Sequence, residues 1–223
     1  MMPQIAAIFD LDDTLLNAAS ARLLFQYLRQ NDLFSRYFRR RDSLAVAGAV
    51  LAYRLGLLDE TQLMQRSARV AKGIALAEFW PLVQRWFDEM VIHHIAPLAQ
   101  ERLAWHRTQG HIPVICSGSS QFSVAPVAHY LAIEHSVCTE WLCKDGRMTG
   151  EIRQPIAYGV GKVHWMQQWA EKHEVALAQS YFYSDDISDR PLLEAVAHPY
   201  AVNPDRQLTQ LATQRGWPIL HWR

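Results

Sequence analysis

Cysteine, net charge and long apolar runs are all scarce in this 223-residue chain. The three cysteines, Cys116, Cys138 and Cys143, contain no CxxC pair, which disfavours both a disulfide framework and a zinc knuckle. No signal-peptide pattern precedes the first apolar run, so we expect a reducing, cytoplasmic location. Lys+Arg and Asp+Glu both number 22, so no overall field would draw the chain to nucleic acid.

The most apolar stretch, LAVAGAVLAYRLGLL (44–58), is shorter than the ~20 residues that a membrane-spanning helix needs, and Arg54 interrupts it. We interpret it as a core or cap helix. The segment RYFRRR (36–41) is basic, and such a run is usually a solvated helix face. Contact with a membrane surface is the alternative, which we disfavour.

What the chain does contain is a regular alternation of short apolar runs with helical patterns of about ten to fifteen residues. This alternation predicts a parallel α/β sheet. The predicted strands are 4–9, 111–117, 180–184, 200–203 and a short run near 218–222.

Two segments depart from the alternation. Residues 17–95 read almost entirely as helix, with Asp59 and Gln62 marking one helix start, and are too long for a crossover. We therefore predict an inserted helical domain over 17–95 and a core formed by 1–16 and 96–223. Residues 136–152 predict a β-hairpin whose turn is Asp145-Gly146.

A helix is predicted after the strand at 111–117, in FSVAPVAHYLA, and Pro126 is expected to break or open it.

Acidic residues crowd the ends of two predicted strands, in FDLDDT and YSDDISD. In parallel sheets, ligands bind beyond the carboxyl ends of the strands. If the two strands are neighbours, several carboxylates share one pocket, which is unstable without a cation. These residues supply only oxygen ligands, which favours Mg²⁺. The acids are Asp10, Asp12, Asp185, Asp186 and Asp189.

Residues that could bind an anion lie at the ends of two other predicted elements. Ser117-Gly118 follows a strand and precedes a predicted helix, where a hydroxyl and free backbone N–H groups can hold phosphate. Lys162 opens a helix in GVGKVHW and could reach the same anion. Carboxylates, a hydroxyl, a lysine and a metal together indicate phosphoryl transfer.

The order and spacing of these residues resemble the haloacid dehalogenase superfamily, in the branch (subfamily IB) that includes phosphoserine phosphatase. The resemblance extends from Ile5 to about Asn203 and implies a Rossmann-like three-layer parallel-sheet core with an inserted helical cap domain. The residues that match the four family motifs are Asp10, Asp12 and Thr14, then Ser117, then Lys162, then Asp185 and Asp189.

The resemblance also implies roles. Asp10 is the implied nucleophile, which becomes an aspartyl-phosphate, and Asp12 the implied acid and base. Mg²⁺ would be held by Asp10, the backbone carbonyl of Asp12 and Asp185, with Asp189 acting through water. The residues implied to hold the phosphoryl oxygens are Ser117, Gly118 and Lys162.

Two departures from the family pattern concern Asp186 and Ser188, which replace a small residue and an asparagine. We expect Asp186 to cap the following helix. Ser188 lacks the side-chain amide that makes the usual contact at this position of the motif. Asp13 is assigned no chemistry. In the helical insert no motif matches, and the polar or basic candidates for substrate contact are Arg22, Tyr27, Arg36 and Arg54.

These residues lead to the hypothesis of a Mg²⁺-dependent phosphatase that acts on a small phosphomonoester, with phosphoserine and histidinol phosphate both precedented in this branch. The presence of Asp12 favours phosphoester chemistry over dehalogenation. Three alternatives stay open: a phospholipid head-group phosphatase, such as one for phosphatidylglycerol phosphate, a phosphotransferase, and a non-catalytic phosphate- or metal-binding module. We expect a monomer or a homodimer and no nucleic-acid partner.

Overall fold

The structure of the chain is a computed structural model that describes residues 4–33, 48–49, 51–52 and 55–222. The basic segment 36–41, and with it Arg36, lies outside the described residues, as does Arg54. Within the described residues, no helix is both long and apolar enough to cross a membrane.

Six parallel strands form the central sheet in the order β3-β2-β1-β6-β7-β8, as the sequence predicted for the fold class. Two more strands, β4 and β5, form a separate antiparallel hairpin. In chain order the strands are β1 (Ala6–Phe9), β2 (Ile112–Ser120), β3 (His135–Thr139), β4 (Trp141–Lys144), β5 (Arg147–Ile152), β6 (Tyr181–Ser184), β7 (His198–Val202) and β8 (Ile219–Leu220).

Helices cover both faces of the sheet, which gives the three layers that were expected. Alternate residues of β1 separate the two faces, because successive side chains of a strand point in opposite directions. Ala7 and Phe9 belong to one buried cluster, whereas Ala6 and Ile8 belong to the other. The helices are α1 (Ser20–Gln30), α2 (Glu60–Val70), α3 (Leu76–Glu89), α4 (Pro97–Thr108), α5 (Gln121–Tyr130), α6 (Val160–Lys172), α7 (Arg190–Leu193) and α8 (Arg206–Arg215).

Two local predictions were wrong. Pro126 lies inside α5 without interrupting it. The predicted hairpin 136–152 is split: its first part is β3, which pairs in parallel with β2, and the antiparallel hairpin is limited to β4 and β5. The helix α5 places β3 beside β2, where parallel pairing buries Thr139. The turn itself is confirmed, since Asp145 and Gly146 have φ of 50° and 72°.

The helical segment leaves and rejoins the core at one place. A β-bridge joins Leu16 to Ile95, and the N–H groups of Asn17 and Ala96 donate to His94 and Leu15 at 2.7 and 2.9 Å. The segment between these ends contains α1, α2 and α3. Asp59 and Gln62 form a reciprocal capping box at the start of α2, as their spacing predicted.

The β4–β5 hairpin contacts this helical segment directly. The N–H of Gly73 donates to the Met148 carbonyl at 2.8 Å, and the N–H of Met148 donates to the Ile74 carbonyl at 3.0 Å. Gly150, with φ of 82°, passes so close to the end of α2 that a Cβ there would lie 2.9 Å from Lys72 Cβ. The hairpin is therefore packed against the helices although it follows β3 in sequence.

Candidate active site

The acidic motifs meet at the carboxyl edge of the sheet. β1 and β6 are parallel neighbours at the point where the strand order reverses, and such a point opens a crevice for a ligand. Asp10 directly follows β1 and Asp185 directly follows β6. The N–H of Asp10 donates to the Tyr183 carbonyl at 2.9 Å, which continues the pairing into the site. The two acids that the sequence placed near one ion thus lie on adjacent strand ends.

Lys162 joins two of the motifs. It lies in the first turn of α6, and its buried Nζ is 2.6 Å from Asp10 Oδ1 and 2.6 Å from Asp189 Oδ2. Burial disfavours the ammonium, but the carboxylates of Asp10 and Asp189 outweigh it and raise the pKa of Lys162 well above its usual value. Burial raises the pKa of Asp10 to about 7, although Lys162 acts in the opposite direction. The lysine thus fixes the carboxylate that the sequence named as nucleophile.

The neighbouring acids are too crowded and too buried for one lysine to keep all of them ionised. Burial, followed by the charges of Asp10 and Asp186, raises the pKa of Asp185 to about 9. Ser184 Oγ donates to Asp189 Oδ2 at 2.6 Å, while Asp189 Oδ1 is buried and has no hydrogen-bond partner among the described residues. Burying a carboxylate oxygen without a hydrogen-bond donor costs free energy, so a cation bound at this edge of the sheet would be stabilised.

The donor set fits Mg²⁺. In the part of the chain that the structure describes, no three His, Cys, Asp or Glu side chains form a ready metal cluster. Mg²⁺ does not require one, because it takes one or two carboxylates and keeps several waters. Asp10, Asp185 and the backbone carbonyl of Asp12 would hold it, and the unpaired oxygen of Asp189 would accept from one of its waters.

Asp12 stands apart from the lysine network and has its own partners. Ser20 N donates to Asp12 Oδ1 at 2.7 Å, and Ser119 Oγ donates to Oδ2 at 2.7 Å. Burial raises the pKa of Asp12, and the hydrogen bonds from Ser119 and Ser20 oppose that shift. Asp10 and Asp12, two residues apart, therefore have different surroundings, as separate roles in acid–base chemistry require.

The second motif lies on the next strand. Ser117 is buried at the end of the regular β2 segment that pairs with β3, opposite Cys138. Its Oγ accepts from Ser119 N at 3.1 Å. The helix predicted after this strand is present and begins at Gln121, but β2 extends to Ser120, beyond the predicted strand end at 117, with an irregular register. Any anion contact of Ser117 and Gly118 is therefore made from an irregular strand end. Gly118 lies against Ala157 and Tyr158.

Comparison with known proteins decides the family. Residues 7–194 match the sequence profile of the haloacid dehalogenase-like hydrolases. The chain belongs to this family. It is 33% identical to a histidinol-phosphatase of Neisseria meningitidis, over 97% of this chain and 98% of that protein. With this match over its whole length, the chain is a phosphatase of the haloacid dehalogenase family.

Two solved structures agree with this fold. A protein of unknown function from Bordetella pertussis superposes with a TM-score of 0.89 at 27% identity, covering 98% of this chain and 99% of its own. A phosphoserine phosphatase superposes with a TM-score of 0.67 at 14% identity, covering 99% and 94%. At that low identity the second match concerns the fold alone.

The departures from the haloacid dehalogenase pattern have local explanations. Asp186 accepts from Ser188 N at 2.7 Å and caps the short turn Ile187–Asp189, as expected. Asp13 has φ of 52°, and its carbonyl accepts from Asn203 Nδ2 at 3.1 Å. The pair Asp186 and Ser188 therefore serves the local turn.

Of the substrate-contact candidates in the helical segment, Tyr27 is buried and donates through its hydroxyl to Glu89 at 2.9 Å, whereas Arg22 is exposed. The Tyr27 bond joins α1 to α3 and does not involve the acidic motifs.

Four side chains that support the site were not predicted from the sequence. Ser184 bonds Asp189, Asn203 bonds the backbone of Asp13, and Ser119 contacts Asp12. Ser20 Oγ lies 3.1 Å from Ser119 Oγ. Ser184 and Ser119 stand next to motif residues, and that position was the signal available. Nothing local marks Ser20 or Asn203.

Proposed function

We propose that the chain is a Mg²⁺-dependent phosphatase that hydrolyses a small phosphomonoester through a phosphorylated Asp10. The main support for this proposal is the arrangement around Asp10. Its carboxylate is buried and bonded to Lys162, whereas Asp12, two residues further on, is bonded separately by serines. One carboxylate is thereby suited to attack and the other to move a proton.

In this proposal a carboxylate oxygen of Asp10 attacks the phosphorus, and the bond to the leaving oxygen breaks. Asp12 gives its proton to that oxygen and then takes one from the water that hydrolyses the aspartyl-phosphate. Ser117, Gly118 and Lys162 hold the phosphoryl oxygens. Bound Mg²⁺ would supply Lewis-acid stabilisation of the phosphoryl charge.

The helical segment 17–95 is proposed to be the cap over the core formed by 1–16 and 96–223. The Leu16–Ile95 bridge supports this division, since it brings both ends of the segment together beside the first motif. A cap at this position would exclude water and select the leaving group. The β4–β5 hairpin, which bonds to Gly73 and Ile74, would move with it.

The substrate class we favour is an amino-alcohol or amino-acid phosphate such as histidinol phosphate or phosphoserine. Similarity over the full length to the Neisseria histidinol-phosphatase supports this choice. A cytoplasmic location is supported by three unpaired cysteines. Whether the chain is a monomer or a homodimer stays a prediction from sequence.

A phospholipid head group is the second candidate substrate. Leu51, Leu55 and Leu57 are each more than half exposed, and they follow the basic segment 36–41 in sequence. Such a combination suits an anionic lipid surface.

The test is hydrolysis by the purified chain, with Mg²⁺ and with chelator, of p-nitrophenyl phosphate and a panel that contains histidinol phosphate, phosphoserine and phosphatidylglycerol phosphate in anionic vesicles. Asp10→Asn should lower turnover by more than about 1,000-fold, because the amide is not a nucleophile. Asp145→Asn is the matched control, since asparagine suits its exposed left-handed turn and should leave turnover unchanged.

Full activity in Asp10→Asn would exclude the proposed nucleophile. A wild-type chain that hydrolyses nothing in the panel would favour the non-catalytic module. Phosphate that moves to an added alcohol in preference to water would indicate a phosphotransferase.

A further inference from the structure

Both oxygens of the Asp12 carboxyl group are engaged, and the two donors come from different parts of the fold. Ser20, the first residue of α1 in the helical segment, donates its backbone N–H to Oδ1 at 2.7 Å. Ser119, near the end of the core strand β2, donates its hydroxyl to Oδ2 at 2.7 Å. Ser20 is fully buried and Ser119 is 9% exposed, so little water competes with these bonds.

The two donors differ in what they permit. A backbone N–H can only donate, so Oδ1 must remain an acceptor whichever form Asp12 takes. A serine hydroxyl can donate to a carboxylate or accept from a carboxylic acid, and Ser20 Oγ, 3.1 Å from Ser119 Oγ, can take either role in turn. Oδ2 is therefore the oxygen that can gain and lose a proton without leaving a buried donor unpaired.

We propose that Ser119 is a positioning residue that orients Asp12 Oδ2 as the proton-carrying oxygen of the reaction. This inference rests on the proposed function and adds to it a residue outside the four motifs. Ser119 acts through Asp12, and Ser20 fixes the other oxygen from the helical segment. Without the Ser119 hydroxyl, Asp12 keeps only its bonds from Ser20, all on the side of the helical segment, and Oδ2 loses the donor that the core strand supplies.

The step that depends on this orientation is cleavage of the ester. The bond from Asp10 to phosphorus forms as the bond from phosphorus to the leaving oxygen breaks, and the proton on Asp12 Oδ2 passes to that oxygen, which leaves Asp12 as a carboxylate and releases the alcohol. An alkoxide is a poor leaving group and needs this proton. p-Nitrophenolate is a stable anion and leaves without it.

The test compares two esters under single-turnover conditions with Mg²⁺: p-nitrophenyl phosphate and the alkyl phosphomonoester that the wild-type chain cleaves fastest. Ser119→Ala should slow alcohol release from the alkyl ester by about 10- to 100-fold, since small misplacement of a catalytic group has effects of this size. Release of p-nitrophenol in the first turnover should change less than about threefold, because it needs little general-acid help. Ser119→Thr, which keeps the hydroxyl, should restore most of the alkyl rate.

Ser123→Ala is the matched control. Ser123 is also buried, in α5, and it is not among the hydrogen-bond partners of Asp12, so both rates should match the wild type. If Ser119→Ala does not fold, Ser119→Cys carries the same expectation, because a thiol is a weak donor of similar shape.

Equal losses on the two esters, or an unchanged alkyl rate in a folded variant, would overturn the positioning role while leaving the proposed function intact. A wild-type chain inert toward both esters would instead defeat the proposed function itself.

Discussion

Replacing Gly161 by alanine is expected to disable the site through a contact that the sequence does not reveal. Gly161 lies one residue before Lys162 in the first turn of α6. A Cβ at this position would lie 1.9 Å from the Ile156 carbonyl oxygen and 3.1 Å from its carbon. Since real Cβ atoms stay at least 3.0 Å from such atoms, the two segments must separate by about 1 Å.

The loop before α6 is held by packing and by a hydrogen bond, so it cannot easily move away from a new Cβ. Ile156 is buried in a small cluster with Ala68 and Ile152, and Ala157 N donates to Thr139 Oγ1 at 3.3 Å. The start of α6 should therefore move, and Lys162 with it. A shift of about 1 Å would stretch the two 2.6 Å contacts of Nζ past hydrogen-bond distance.

We expect Gly161→Ala to lower kcat/KM for p-nitrophenyl phosphate by about 100-fold and to reduce the free energy of unfolding by about 1–3 kcal/mol. Steady-state kinetics and urea unfolding measure the two effects. Val160→Ala is the matched control, because the Val160 side chain is 74% exposed and should tolerate truncation. A Gly161→Ala protein with wild-type activity and stability would show that the Ile156 loop can move aside without displacing Lys162.

Two further predictions test the support of the site. His106 is fully buried, with Nε2 2.9 Å from the Tyr183 hydroxyl, and burial lowers its pKa to about 3. Its contribution to stability should be complete above the unfolded pKa of 6.5 and fall as the pH drops toward 3, by about 1.4 kcal/mol per unit, because only the unfolded chain then binds the proton. Urea unfolding across this range should show a shallower pH dependence in His106→Leu, and an identical slope would contradict the assignment. Asn203→Gly keeps the left-handed backbone (φ of 45°) but removes the bond to the Asp13 carbonyl and the bond that Asn203 Oδ1 accepts from Trp222 N at 2.8 Å, so kcat should fall about tenfold and the melting temperature should fall as well. Unchanged kcat would show that the bond to Asp13 does not position the Asp10–Asp13 loop.

The order of strands and helices could be predicted from the sequence because it depends on local patterns. Apolar runs of strand length, helical spacing and the Asp145-Gly146 turn are set by residues a few positions apart. The division of residues 136–152 into β3 and the β4–β5 hairpin could not be predicted locally. β3 joins the sheet through its pairing with β2, from which α5 separates it in sequence. Likewise, α5 accommodates Pro126, which a local rule would exclude.

Within the site, local patterns in the sequence were enough to place the acids and Ser117 at strand ends and Lys162 at a helix start. The hydrogen bonds that connect these groups become known from the folded structure. Lys162 reaches Asp10 across 152 positions, and Ser119 reaches Asp12 across 107. Such bonds follow from strand order and helix packing, which no local pattern encodes. The physical reason is that side-chain type is a property of the chain, whereas a 2.6 Å contact between distant residues is a property of the packed sheet.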